Sequence, residues 1–143
     1  TDGDLKRVTQ AVIREDAAWK PLAKVRTPED LLIAACRVTG FTPPPPFQAQ
    51  TLHVLDQQPF FAPQPEGWSD QAKDWIGPES VLHRADCCES FAGRLPNPPD
   101  PIVLADDVFG EALPDEAAQA IRRAASRREG LALLIASPEF QRR

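Results

Sequence analysis

The sequence predicts an all-α fold, a compact bundle of about seven short helices joined by proline-rich irregular segments. Three observations point there. Apolar residues recur at three- and four-residue spacing. No stretch alternates apolar and polar residues as a half-buried strand does, and 16 prolines divide the apolar stretches into short lengths. At 143 residues the chain is long enough to bury a core without disulfides or metal, so a single helical domain over 1–143 is expected, with a sub-boundary near 42–47.

Taken in order, residues 4–16 place Leu5, Val8 and Val12 on one helical face with Ala11 at its edge, and Asp2 or Asp4 supplies the negative charge a helix N-terminus favours. A connector through Trp19, Pro21 and Leu22 follows. Thr27-Pro28-Glu29-Asp30 reads as an N-cap, a proline in the first turn and two acids. The helix it starts carries Leu31, Leu32, Ala34, Ala35, Cys36 and Val38, nearly apolar all round, and Gly40 is placed to end it in the left-handed conformation. It is the expected central helix. Pro43 to Pro46 is expected to be an extended, polyproline-type spacer, and residues 48–57 a short helix bearing Leu52 and Leu55.

From Pro59 to Pro65, prolines flank Phe60 and Phe61, which predicts an irregular segment wrapped over a core. Ser69 or Asp70 is expected to cap a brief helical stretch, Ala72 to Ile76, and Pro78-Glu79 to start a longer helix running to about Gly93 with Val81, Leu82, Ala85, Cys88 and Phe91 on one side. After a proline-rich crossing from Pro96 to Pro101 come short helices over 106–113, 114–125 and 127–136, stopped at Ser137-Pro138. A weak internal similarity relates residues 5–19 to 131–140, each an apolar helix followed by a small or acidic turn and an anchoring aromatic, Trp19 or Phe140. Two copies do not make a solenoid.

Net charge is −5, which disfavours nucleic acid and anionic lipid as partners. The exception is the C-terminal cluster Arg122, Arg123, Arg127, Arg128, Arg142 and Arg143, for which a solvated helix face is the simpler account. No apolar run reaches the roughly 20 residues of a membrane span, so no membrane insertion is expected. The sequence lacks methionine, so Thr1 is expected to be a processed or artificial start. Cys36, Cys87 and Cys88 cannot all pair within the chain, and adjacent Cys87 and Cys88 would form a strained bridge, so free thiols are expected. The compartment, cytoplasm or periplasm, stays open.

Several ordered motifs resemble one family. Gln58-Pro59-Phe60-Phe61-Ala62-Pro63, Pro65-Glu66-Gly67-Trp68, Trp75-Ile76-Gly77-Pro78, Leu82 with Arg84, and the terminal Ala136-Ser137-Pro138-Glu139-Phe140-Gln141-Arg142-Arg143 are similar to the C-terminal portion of the bacterial domain of unknown function 1800 family, and Lys24 to Leu31 resembles a segment between that family's helices. The resemblance implies a mostly helical fold within a longer protein, and it implies no activity or catalytic residue. It places Cys87 and Cys88 at packing positions, while Glu89 departs from the family's usual asparagine. It further implies a protein partner in the cell envelope, because many relatives are exported and neighbour a sulfatase-like protein.

No serine sits in a nucleophile-elbow pattern, and no glycine-rich phosphate loop is present. The acid pairs Asp106-Asp107 and Glu29-Asp30 are explained by helix N-termini. His83 and Cys87 are one helical turn apart, but His53 and Cys36 offer no second ligand pair, so no metal and no cofactor are expected. The remaining candidates for binding are Trp68, Asp70, Trp75, Arg84 and Asp86, where indole rings flank polar groups on irregular backbone. Core anchoring by the tryptophans and carbonyl or salt-bridge bonding by Arg84 are the simpler roles. The expected function is a non-catalytic supporting or protein-interaction region, its first partner being the N-terminal part of the same protein and its second another protein. The alternative is part of an enzyme whose catalytic groups lie mainly in that N-terminal part, with Asp70, Arg84 or Asp86 contributing. A cleft lined by those three favours the enzyme, and a tryptophan pair buried under the proline segments favours support.

Overall fold

A computed structural model describes residues 3–20 and 24–143. Among the described residues the fold is all-α, with seven α-helices and no strand. They are α1 (Leu5–Arg14), α2 (Pro28–Thr39), α3 (Pro45–Val54), α4 (Pro78–Gly93), α5 (Pro101–Phe109), α6 (Asp115–Arg123) and α7 (Arg127–Ala136), with 3-10 turns at Asp16–Trp19, Ala72–Asp74 and Gly110–Ala112. Thr1, Asp2, Pro21 and Leu22, named above, lie outside the described residues.

Local chemistry sets the helix starts. The Asp4 carboxylate caps α1 by accepting from the Lys6 and Arg7 amides, and Ser126 caps α7 by accepting from Glu129. Thr27 and Asp30 close a reciprocal capping box on α2, which ends at Gly40 with φ +65°. Two proline segments differ from expectation. Pro45 and Pro46 form the first turn of α3 and are not part of an extended spacer, because first-turn amides have no acceptor within a helix and proline loses nothing there. Pro101 likewise opens α5, with the Asp100 carboxylate accepting from Ile102 and Val103. Helix α5 therefore begins five residues before Asp106, and Asp106 and Asp107 fall near its C-terminal end. Attraction to a helix N-terminus does not explain them.

Helices α4 and α7 pack along each other, and α5 and α6 close on α7. Leu131, Leu134 and Ile135 of α7 are completely buried, joined by Cys88, Phe91 and Ala92 of α4, Leu95, Ile121, Phe140, and Leu31, Leu32, Ala34, Ala35 and Leu52 from α2 and α3. Each large apolar side chain so enclosed contributes about 1.5–3 kcal/mol. The centre is thus α7; α2 flanks the core, with Ile33 and Arg37 turned to solvent. The buried face of α4 runs Arg84, Cys88, Phe91 and Ala92, leaving Val81 and Leu82 exposed. That face is rotated from the expected one because a buried arginine lies on it, where hydrophobic periodicity does not point.

Phe60 and Phe61 are exposed, so the Pro59–Pro65 segment does not wrap a core. Asp56 and Phe60 take positive φ around this turn. Trp19 is 69% exposed, whereas Phe140 is buried, so the two helix-plus-aromatic segments are not structurally equivalent. Helix α1 packs on its following 3-10 turn, where the Trp19 indole N–H donates to the Ile13 carbonyl at 2.7 Å, and none of its residues is buried.

Candidate functional site

Two segments that bond to each other across as many as 114 positions of sequence, between Arg26 and Phe140, meet beside Arg84. Val25 and Arg142 form an isolated antiparallel bridge, extended by Lys24 and Arg143, which exchange backbone hydrogen bonds of 3.0 and 2.8 Å, and by the Arg26 amide donating to the Gln141 carbonyl at 2.8 Å. This lays the segment entering α2 against the segment leaving α7. The Arg26 Nε–H adds a bond of 2.8 Å to the Phe140 carbonyl, with its guanidinium above the Phe140 ring.

Arg84, 3% exposed, reaches under this bridge from the second turn of α4. Its Nε donates to the Trp75 carbonyl at 3.1 Å, Nη1 to the Gln141 side-chain oxygen at 2.6 Å and Nη2 to the Arg26 carbonyl at 2.9 Å. A planar fork of donors suits three acceptors on three segments, as a lysine ammonium does not. Burial lowers the Arg84 pKa, and the nearby Cys88 and Cys87 oppose that shift. Gln141 is held in turn by its Nε2 donating to the Ile135 carbonyl at 2.8 Å.

Trp75, 6% exposed, fixes the loop before α4. Its indole N–H donates to the Ser69 carbonyl at 2.8 Å, and the Ser69 hydroxyl bonds Asp74 and accepts from the Gln71 amide. Ser69 therefore organises the turn without capping the Ala72–Asp74 turn, whose flanking residue is Gln71. Trp68 is half-buried, its ring centroid 6.2 Å from that of Trp75 and tilted by 55°.

The five sequence-derived candidates thus divide. Trp68, Trp75 and Arg84 belong to one connected assembly through the ring pair and the Arg84–Trp75 bond. Asp70 is exposed on the preceding loop. Asp86 is exposed two residues from Arg84 on α4 and lines a different cleft, with Glu89, Ser126, Arg128 and Glu129. Arg84 lines a cleft of about 260 Å³ with Val25, Ile76, Val81, Ala85 and Pro138. Asp70, Arg84 and Asp86 share none of the clefts described.

The cysteines are free thiols. Burial pushes the Cys88 thiol up to about 12, Cys87 adding to the rise while Arg84 and a bond from Gln141 oppose it. Burial, then Asp86, raises Cys87, and burial raises Cys36, so none is activated as a nucleophile. Among the terminal arginines, Arg143 pairs with Asp30 at 2.9 Å, Arg127 approaches Asp100 at 3.8 Å and Arg128 donates to the Leu95 carbonyl at 3.1 Å. These three arginines thus make separate contacts, while Arg122 and Arg123 are exposed on α6.

Sequence reasoning missed Arg26 and Gln141 as members of the Arg84 assembly. Both lie within motifs singled out above, but no local signal tells that residues 57 or 58 positions from Arg84 meet it. Gln57 was missed too; it is buried and accepts from the Glu29 amide in the first turn of α2 at 2.7 Å.

The chain matches the family model described as "Protein of unknown function (DUF1800)" over residues 1–142, and it belongs to that family. No curated protein and no solved structure matches it. Among the described residues no helix is long and apolar enough to cross a membrane.

Proposed function

With that membership as the premise, we propose that the chain is a non-catalytic supporting region of a larger protein, presenting the apolar face of α1 to a preceding or neighbouring part of that protein. The observation carrying this reading is α1 itself. Leu5, Val8 and Val12 share one face and stand 79%, 40% and 58% exposed, and Trp19, bonded to the Ile13 carbonyl, is exposed as well. A ten-residue helix is marginal alone in water, so an ordered helix with an uncovered apolar stripe is a docking element.

The polar assembly supports the same reading. The hydrogen bonds of Arg84 join Trp75, Arg26 and Gln141, which fastens three segments into a rigid body. Asp70 and Asp86 lie apart from it, and the thiols are held protonated by burial. No arrangement of nucleophile, base and orienting acid is built from these groups. The experiment replaces Val8 and Val12 together by Lys in this chain and in a longer protein containing it. The chain alone keeps its melting temperature, since both residues are exposed, while the longer protein melts at least about 4 °C lower. Equal melting of the longer protein with and without the substitutions sinks the proposal.

A further inference from the structure

We infer that the cleft between the first half of α4, the end of α7 and the Val25–Arg142 bridge binds a carboxylate carried on a short apolar stem, with Arg84 as its counter-ion. This goes beyond a supporting role, since it assigns a ligand to the body of the chain and makes no use of α1.

The charge of Arg84 has no partner of opposite sign among the described residues. The ion pairs there join Arg7 to Asp4, Arg127 to Asp100 and Arg143 to Asp30. Arg84 instead meets two backbone carbonyls and the Gln141 amide oxygen, dipoles that orient the guanidinium and leave its net charge uncompensated. A guanidinium carries five N–H donors, so these three bonds leave two without a protein partner among the described residues. Arg84 is charged and nearly fully buried and is one of the residues lining a cleft, so an anion entering there would meet an uncompensated positive charge.

The walls select which anion. Val25, Ile76, Val81, Ala85 and Pro138 make the lining mainly apolar, and Arg142 adds a second cation. A phosphate dianion would surrender its hydration to hydrocarbon, whereas a monoanionic carboxylate leaves one charge for Arg84 and lays its stem along the valine, isoleucine and proline surfaces. The cleft of about 260 Å³ has room for a stem of about five carbons. A free short-chain acid and the carboxyl terminus of a peptide ending in an aliphatic residue offer this same chemistry.

The test titrates the full chain with hexanoate, hexanamide, inorganic phosphate, and a pentapeptide ending in leucine as its free acid and its amide, following the Arg84 Nε resonance. Two variants accompany it: Arg84→Lys, which also disturbs the fold, and Val81→Glu, which sets a carboxylate at the cleft on a half-exposed position outside the Arg84 hydrogen bonds. A carboxylate is expected to bind saturably and at least tenfold tighter than its amide and than phosphate. Val81→Glu is expected to melt like the parent and to bind at least tenfold more weakly. Tight binding by hexanoate identifies a small acid, and tight binding by the peptide acid alone identifies a chain terminus; either supports the site. Equal binding of acid and amide, phosphate binding as tightly as the carboxylates, no saturable carboxylate binding, or undiminished binding to Val81→Glu overturns it.

Discussion

Arg84 and Gln141, 57 positions apart, meet through an Nη1–H···Oε1 bond of 2.6 Å, and this bond ties α4 to the segment that leaves α7. Because the same guanidinium also holds the Trp75 and Arg26 carbonyls, its removal strands several acceptors at once. Each buried acceptor left without a donor costs about 1–3 kcal/mol. Arg84→Met is therefore expected to lose about 3 kcal/mol or more in urea unfolding, with a red shift of tryptophan emission as Trp75 loosens. Arg84→Lys keeps the charge but replaces the fork with a point donor, so it is expected to recover less than half of the loss. A cost below about 1 kcal/mol for Arg84→Met would show that the three bonds do not hold the segments together.

Gly130, in the first turn of α7, faces the ring of Pro101. A Cβ there would lie 2.6 Å from Pro101 Cγ and 3.0 Å from Pro101 Cβ, and a buried proline in a helical first turn has little freedom to retreat. Alanine gains about 1 kcal/mol of helix propensity over glycine, but the overlap is expected to outweigh it. Gly130→Ala should destabilise by a net 1–3 kcal/mol or so, and adding Pro101→Ala should return part of that loss. Stabilisation by Gly130→Ala in thermal unfolding would mean that α5 and α7 separate freely here.

The helices were legible in the sequence wherever a local rule fixes them. Thr27 to Asp30 announces an N-cap with proline and acids in the first turn, and Gly40 a left-handed end; both are present, and Asp30 closes the cap into a reciprocal box. What was not legible depends on contacts distant in sequence. Pro45 and Pro101 look like breaks as well, although each stands in the first turn of a helix where a missing amide costs nothing, with Asp100 capping the second and no side-chain cap before the first. The buried face of α4 escaped because Arg84, a charged residue, occupies a core position that only Arg26, Gln141 and Trp75 make tolerable. Of the five candidates the sequence grouped, the structure connects Trp68, Trp75 and Arg84 and sets Asp70 and Asp86 apart, and the cleft beside Arg84 is made by Val25 and Pro138, which neither motif nor spacing connects.

The capping box on α2 gives a local prediction. The Asp30 amide donates to Thr27 Oγ1 at 3.2 Å and the Thr27 amide to Asp30 Oδ2 at 3.4 Å. Thr27→Ala is expected to cost about 1 kcal/mol, and Thr27→Ser to cost little, since its hydroxyl can accept the same bond. Urea midpoints of the two variants decide it; equal midpoints would mean that the Glu29 amide bonded to Gln57 suffices to hold the first turn.

Cys88 gives a prediction in pH. Its thiol is raised from an ordinary value of 9.0 to about 12, chiefly because burial penalises the thiolate. The native chain therefore keeps a proton that the unfolded chain releases near pH 9. A raised native pKa contributes stability that is complete below the unfolded value and is lost as pH rises toward the native one, so the loss is expected between about pH 9 and 12. Cys88→Ala removes this dependence while vacating core volume, at a cost of about 1–2 kcal/mol at pH 7. Urea midpoints taken from pH 7 to pH 11 should start lower for the variant and fall less steeply above pH 9. Parallel curves would mean that the native thiol ionises as readily as the unfolded one, through solvent reaching the Sγ between Arg84 and Gln141.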